Sequence, residues 1–263
     1  MTTWIHVEKV AIVTGSSKGI GLSTVRLLKS KDYTVIGVSR SGKGEAHEEL
    51  KADVASKEEV RGVIEYVLDK YKKIDVLVNN AGFGVYGYFW ETNLEEEEYE
   101  VRTLFLGVLY FTKYVLPHML ERNSGSIVNV VSEAAYVAMP TLLVYSSMKA
   151  AVAHFTNGLW ASLRGSGVKV SGVYPGPIKT EFSKHPSFKR EPKFNALAVP
   201  PEKVAKAIWK GIRTGKREIY VPSRLAVEPY FLKAAMAFQE VTYLVSKVIY
   251  GKRARDINLN RRT

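Results

Sequence analysis

Short, nearly continuous apolar runs alternate along this chain with longer segments in which apolar residues recur every three or four positions. The runs are KVAIVTG (9–15), YTVIGVSR (33–40), IDVLVNNAG (74–82), SIVNVVS (126–132), VKVSGVYPG (168–176) and REIYVP (217–222). They are rich in Val and Ile and do not alternate cleanly with polar residues. That is the pattern of parallel strands covered on both faces. The segments between them predict helices. In 19–32 the stripe is Ile20, Val25, Leu27 and Leu28; in 57–73 it is Val60, Val63, Ile64, Val67 and Leu68. A long helix is predicted over 94–122, with four glutamates near its electropositive N-terminal end. Further helices are predicted over 145–163 and over 200–215, the latter starting at proline and ending at glycine.

Strands alternating with helices predict an α/β fold, a doubly wound Rossmann-type parallel sheet flanked by helices. No internal repeat or low-complexity tract divides it. One domain is expected over 1–222, with 223–263 as a C-terminal helical extension and basic tail. In the extension, Phe231, Ala235, Phe238, Val241, Val245 and Val248 form an amphipathic stripe. Packing on its own or a partner subunit is favoured over a helix lying on a membrane surface.

Composition narrows the class. The 263 residues are 46% apolar, ample for a core, and contain no cysteine, so no disulfide framework or thiolate zinc site exists. No metal site is expected, since the histidines show no ligand spacing. The start, MTTWIHVEKV, does not read as a signal peptide. No uncharged apolar stretch reaches the ~18 residues of a spanning helix. A soluble, cytoplasmic protein is expected. The net charge of +12 raises nucleic acid as a partner, but residues 251–263 alone supply +4 and the rest is dispersed. No nucleic-acid-binding motif accompanies it, and none is expected as a partner.

The chemistry starts at TGSSKGIG (14–21), where the first strand turns into the first helix. Gly15 allows a sharp turn, while Gly19 and Gly21 allow close approach to a pyrophosphate at a helix N-terminus. The spacing is Gly-x-x-x-Gly-x-Gly rather than Gly-x-Gly-x-x-Gly. Ser17, Lys18 and Ile20 belong to the same loop. Where the second strand ends, an acid would bind the ribose hydroxyls of NAD, but Ser39 and Arg40 stand there instead. With Lys18 they suit a 2′-phosphate, hence NADP(H); the alternative is that Arg40 is only a surface charge. YSSMK (145–149) places Tyr145 and Lys149 one helical turn apart. Taken alone, the pair is as compatible with a core tyrosine beside a solvated lysine as with an activated phenol.

Together, TGSSKGIG, NNAG (79–82), Ser132 thirteen residues before Tyr145, YSSMK and PGPIKT (175–180) resemble, in order and spacing, the short-chain dehydrogenase/reductase family over residues 8–222. The resemblance implies an NADP(H)-dependent oxidoreductase moving hydride between cofactor and a carbonyl or alcohol substrate. It implies Tyr145 as general acid/base, Lys149 as the cation that favours the phenolate and holds ribose, and Ser132 as hydrogen-bond donor to the substrate oxygen. A free phenol has a pKa of about 10, and lowering it by roughly three units needs about 4 kcal/mol. It further implies that Asn79, Asn80, Ala81 and Gly82 line the cofactor and steady the sheet. Asp53 and Val54 would meet adenine, and Pro175, Gly176, Ile178 and Thr180 the nicotinamide. A homodimer or homotetramer is usual in the family.

One position departs. Many members carry an asparagine three residues before the glycine of the long helix, holding a water that links the lysine to solvent. Here VRTLFLG puts Leu104 there. The relay runs through backbone, the register differs, or the chain is an NADP(H)-binding regulatory or scaffold protein with little turnover. The segment 181–201 reads as a lid. Phe182, His185, Phe188 and Phe194 face substrate or close over the core. With FGVYGYFW (83–90) and EAAYVAMPTLLV (133–144) the walls favour a hydrophobic ketone or aldehyde.

Overall fold

The computed structural model describes residues 9–179, 182, 186–190 and 198–223. Seven parallel strands form one sheet: β1 (Lys9–Thr14), β2 (Tyr33–Ser39), β3 (Glu48–Lys51), β4 (Val76–Asn79), β5 (Gly125–Val130), β6 (Val168–Pro175) and β7 (Glu218–Val221). Their order is β3-β2-β1-β4-β5-β6-β7. The winding therefore reverses between β1 and β4, the crevice where open α/β sheets bind ligands. The expected doubly wound fold is observed.

Six α-helices cover the sheet: α1 (Gly19–Lys29), α2 (Lys57–Tyr71), α3 (Leu94–Val101), α4 (Gly107–Glu121), α5 (Leu143–Ser162) and α6 (Pro201–Thr214). Val25 and Leu28 of α1 join Val204, Ile208 and Ile212 of α6 in one buried layer. Val60, Val63, Ile64 and Val67 of α2 join Phe111, Val115 and Met119 of α4 in the other. Burying a Val or Ile side chain stabilises by about 1.5–3 kcal/mol, so these two layers fix which face each helix presents. The helix ends follow local chemistry. Ser56 caps α2 through the Glu59 N–H at 3.3 Å, Asn93 caps α3 through Glu96 N–H at 3.0 Å, and α6 stops at Gly215 with φ 63°.

Two differences from the sequence reading matter. The edge strand β3, EELK, went unread because it is short, polar and half-exposed, as edge strands are. The long helix 94–122 is interrupted by a π-helical turn at Arg102–Leu106 between α3 and α4. By length and composition alone Leu94–Glu121 could cross a membrane. Its residues Leu104, Phe111, Val115 and Met119 are instead buried in this domain, as in the core helix of a folded protein. The amphipathic extension at 225–250 lies outside the described residues.

Candidate active site

The glycine loop follows directly from β1. Gly15 sits at φ 66° and Gly19 at φ 56°, the left-handed region that costs a non-glycine residue energy. A Cβ on Gly21 would collide with the Gly15 carbonyl oxygen, so only glycine lets α1 start this close to the loop. Lys18 precedes α1 in extended conformation without capping it through its side chain, which leaves the first-turn N–H groups for an anion. Thr14 ties the loop to β4. Its hydroxyl accepts the Asn80 and Ala81 N–H groups at 2.9 and 3.0 Å, and the Asn80 amide donates to the Thr14 carbonyl at 2.9 Å. Asn79 points into the protein, donating to Asn129 Oδ1 at 2.9 Å and to Thr112 at 3.3 Å. The two asparagines therefore hold loop and sheet together, while Gly82 keeps exposed surface in the crevice.

The far end of the crevice is a small network. The Tyr99 hydroxyl donates to Asp53 Oδ2 at 2.6 Å, and the Arg40 guanidinium donates to the Tyr99 oxygen at 3.2 Å and lies 5.8 Å from its ring. Ser39 and Ser41 hydroxyls are 3.2 Å apart. Val54 is buried, with its carbonyl 3.0 Å from where a Cβ on Gly107 would sit. Tyr99 was not singled out from sequence, and neither was Thr14. Glu49 is the acid nearest the loop, and its carboxylate is engaged by the Ser16 hydroxyl and the Ala46 N–H, each at 2.9 Å.

At the other end, Ser132 caps a short 3-10 turn, Glu133–Tyr136, by accepting the Ala134 N–H at 3.1 Å. Its hydroxyl also faces the Tyr145 phenol and favours the charged form. Lys149, one turn along α5, is 6% exposed. Its ammonium donates to the Val130 carbonyl at 2.9 Å and lies 5.6 Å from the Tyr145 ring centre. Ser132, Tyr145 and Lys149 are thus brought together. Phe182 packs edge-on to Tyr145 at 5.2 Å and touches Phe188 at 5.5 Å, which meets Tyr86 at 5.2 Å. The Tyr86 N–H donates to Ser187 at 2.9 Å, pinning this part of 181–201 to the 83–90 loop.

The electrostatics differ from the sequence expectation. Burial pushes the Tyr145 phenol up to about 12, with the charges of Glu100 and Glu133 adding to it and the Ser132 hydroxyl opposing. Burial also brings Lys149 down to about 8, against the pull of Glu100. The protein alone therefore keeps the phenol protonated, because desolvation of the anion outweighs the nearby cation.

Pro175 ends β6, and the Gly176 N–H donates to the Val221 carbonyl at 2.9 Å. Ile178 bridges Val199 and packs against the α1–α6 layer, so it serves the core as well as the crevice rim. Thr180, His185 and Phe194 lie outside the described residues.

A family model described as short chain dehydrogenase matches residues 9–190. The chain belongs to the short-chain dehydrogenase family. It is an oxidoreductase of that family, acting on carbonyl or alcohol groups. Among its relatives is the ketoacyl reductase HetN of Nostoc sp., 32% identical over 225 residues, covering 81% of this chain and 78% of that protein. The 17-beta-hydroxysteroid dehydrogenase 13 of Rattus norvegicus is 30% identical over 270 residues, covering 94% of this chain and 87% of that one. Among solved structures, ElxO with NADP bound superposes with a TM-score of 0.69 at 28% identity, over 81% of this chain and 96% of that one.

In this short-chain dehydrogenase Leu104, three residues before Gly107, is 1% exposed and lies in the π-helical turn. A Cβ on Gly82 would lie 2.7 Å from its Cδ2, so the leucine packs directly under the NNAG segment.

Proposed function

We propose that this chain is an NADP(H)-dependent reductase of bulky hydrophobic ketones or aldehydes, running equally as the reverse alcohol dehydrogenase. The observation that carries the reading is Tyr145, faced by the Ser132 hydroxyl and flanked by Lys149 beneath an aromatic wall.

The residues of the crevice fit a nicotinamide dinucleotide. The Gly15–Gly21 turn and the uncapped start of α1 suit its pyrophosphate. Asp53 and Val54 suit adenine, while Pro175, Gly176 and Ile178 suit the nicotinamide end. Arg40, Lys18 and the paired Ser39 and Ser41 hydroxyls suit a 2′-phosphate, a choice also supported by the NADP held by the related ElxO. Such a cofactor supplies hydride.

The side chains then divide the remaining work. Ser132 donates to the substrate oxygen and sets the carbonyl's orientation. Tyr145 gives that oxygen a proton in reduction and removes it in oxidation. Lys149 stabilises the phenolate that reduction leaves behind and positions the ribose. Phe182, Phe188 and Tyr86 exclude water and accept an apolar substrate, in keeping with the ketoacyl and steroid names of two relatives. We further propose a dimer or tetramer, supported by Leu120, which stays 39% exposed on α4.

The test is loss of NADPH absorbance against a panel of hydrophobic ketones and dicarbonyls, with Tyr145→Phe alongside. Turnover that disappears in Tyr145→Phe supports the reductase. Tight NADPH binding with no turnover of any compound favours a cofactor-binding regulatory protein instead.

A further inference from the structure

Glu97 and Glu100 lie one turn apart on α3, and both side chains face inward. Glu97 is 6% exposed and Glu100 is fully buried. Their neighbours Glu95, Glu96 and Glu98 are exposed, as the solvated N-terminal turn of a helix should be. An ionised carboxylate in an apolar interior costs many kcal/mol unless it is paired, so it neutralises instead. Among the described residues, no donor reaches hydrogen-bonding geometry with Glu97 Oε2 or with either oxygen of Glu100. The Val85 N–H lies near enough only to favour the charged form weakly. Two carboxylates cannot satisfy each other. A carboxyl and a carboxylate can, by sharing one proton.

The pair has two ends. At the outer end the half-exposed Thr92 hydroxyl donates to Glu97 Oε1 at 2.7 Å. At the inner end the charge of Glu100 acts on both Lys149 and Tyr145. The groups facing it are Glu97 from its own helix, the Val85 N–H from the loop after β4, and Lys149 and Tyr145 from α5. The pair therefore lies between the surface at Thr92 and the active lysine, with no direct hydrogen bond from Glu100 to Lys149, and it stands one turn before Leu104, whose side chain cannot hydrogen-bond.

We propose that Glu100, refilled through Glu97 and Thr92 from solvent, relays protons to and from Lys149 and Tyr145. The inference rests on the reductase reading above. In reduction, Tyr145 gives its proton to the substrate oxygen and becomes phenolate. The Lys149 ammonium gives a proton toward the phenolate, the Glu100 carboxyl restores Lys149 through an intervening water, and Glu97 restores Glu100 with a proton from solvent. One proton from water and one hydride from the cofactor convert C=O to CH–OH. In oxidation each transfer reverses. Consistent with this role, burial and the neighbouring Glu97 raise the Glu100 carboxyl to about 9, so it holds a proton to give at neutral pH.

The experiment compares wild type, Glu100→Gln, Glu100→Asp and Glu97→Gln. Glu100→Gln keeps size and a donor but cannot transfer a proton. Its kcat is expected to fall about 10- to 100-fold with unchanged NADPH affinity, a larger solvent isotope effect and an altered pH profile. Glu100→Asp, still an acid, recovers part of the rate; Glu97→Gln shows the same signature more weakly. Equal losses in Glu100→Gln and Glu100→Asp, or wild-type kcat in Glu100→Gln, overturn the relay.

A cofactor-free readout stands apart from turnover. Infrared spectra of the protein alone should show a buried protonated carboxyl at neutral pH that vanishes in Glu100→Gln. Absence of that band in the wild type also overturns the relay. If instead Tyr145→Phe retains full turnover, the reductase reading fails, a result independent of the carboxyl band.

Discussion

Tyr99 is the link between Asp53 and Arg40: its hydroxyl donates to the carboxylate at 2.6 Å and accepts from the guanidinium at 3.2 Å. Three elements meet in that chain: the segment after β2, the segment after β3, and helix α3. Removing the hydroxyl leaves Asp53 and Arg40 each short of a partner. Tyr99→Phe should weaken NADPH binding about 3- to 10-fold, the worth of an ordinary hydrogen bond. Arg40→Ala removes the charge proposed to meet the 2′-phosphate. It should weaken NADPH about 10- to 150-fold, the range for hydrogen bonds to charged groups, and NADH far less. Fluorescence titration with both nucleotides checks this. Equal losses for the two would count against a 2′-phosphate site at Arg40.

Phe182 shields Tyr145 as well as walling the pocket. Their rings are 5.2 Å apart at 61°, and a Cβ on Gly84 would lie 2.6 Å from the Phe182 ring tip, so the ring has a fixed seat. Burial is the main reason the phenol stands at about 12. Phe182→Ala admits water and should bring the Tyr145 titration down, seen by ultraviolet difference titration against Tyr145→Phe. The same variant should lower kcat/KM for bulky ketones about 10-fold through lost apolar contact, with little change for small ones.

The buried acid and the buried lysine tilt stability in opposite directions. Folded Glu100 holds its proton to about 9, against 4.5 for an ordinary glutamate. The folded state therefore binds more protons than the unfolded chain across that window, and stability falls as pH rises through it. Folded Lys149 releases its proton near 8, against 10.5, so between those values the folded state binds fewer protons and stability rises with pH. Glu100→Gln should remove the falling limb. Urea unfolding near neutral pH should show the variant more stable by about 1–3 kcal/mol, because the glutamine has no proton to take up on folding. A variant less stable than wild type throughout would mean the carboxyl is held by bonds the glutamine breaks.

Much of this could be read from the sequence, and the misses share a cause. Strands β1, β2 and β6 announce themselves because both faces are buried, so nearly every position is apolar. Tyr145 and Lys149 were legible because YSSMK stands in order and spacing with TGSSKGIG, NNAG, Ser132 and PGPIKT; their helical spacing alone left the choice open. β3 was not, since an edge strand carrying Glu48 and Glu49 has no apolar signature. Glu97 was read only as one of four glutamates at the helix N-terminus, and Glu100 was not singled out. The signal that marks both is register: 97, 100, 104, 111 and 115 continue one buried stripe through the long helix. The π-helical turn at Arg102–Leu106 has no marker in RTLFL. The direction of the Tyr145 shift was missed because the sequence shows the nearby cation but not how dry the phenol is.

Leu104 decides whether this enzyme could accept an asparagine three residues before Gly107. The side chain is 1% exposed and seated against Gly82, so it contributes apolar burial where an amide would find few partners. Leu104→Asn should cost about 2–5 kcal/mol, the range for truncating a buried leucine, plus the burial of a polar group. If Glu100 already carries the proton, the new amide adds nothing, and kcat should stay at or below wild type. In the Glu100→Gln background the outcome separates two accounts of the leucine. A rise in kcat when Leu104→Asn is added would show that a water route can be rebuilt through the helix and that the glutamate pair stands in for it. No rise, with the fold intact by circular dichroism, would show that the π-helical turn has moved position 104 out of reach of Lys149, leaving the α3 carboxyls as the proton's way in.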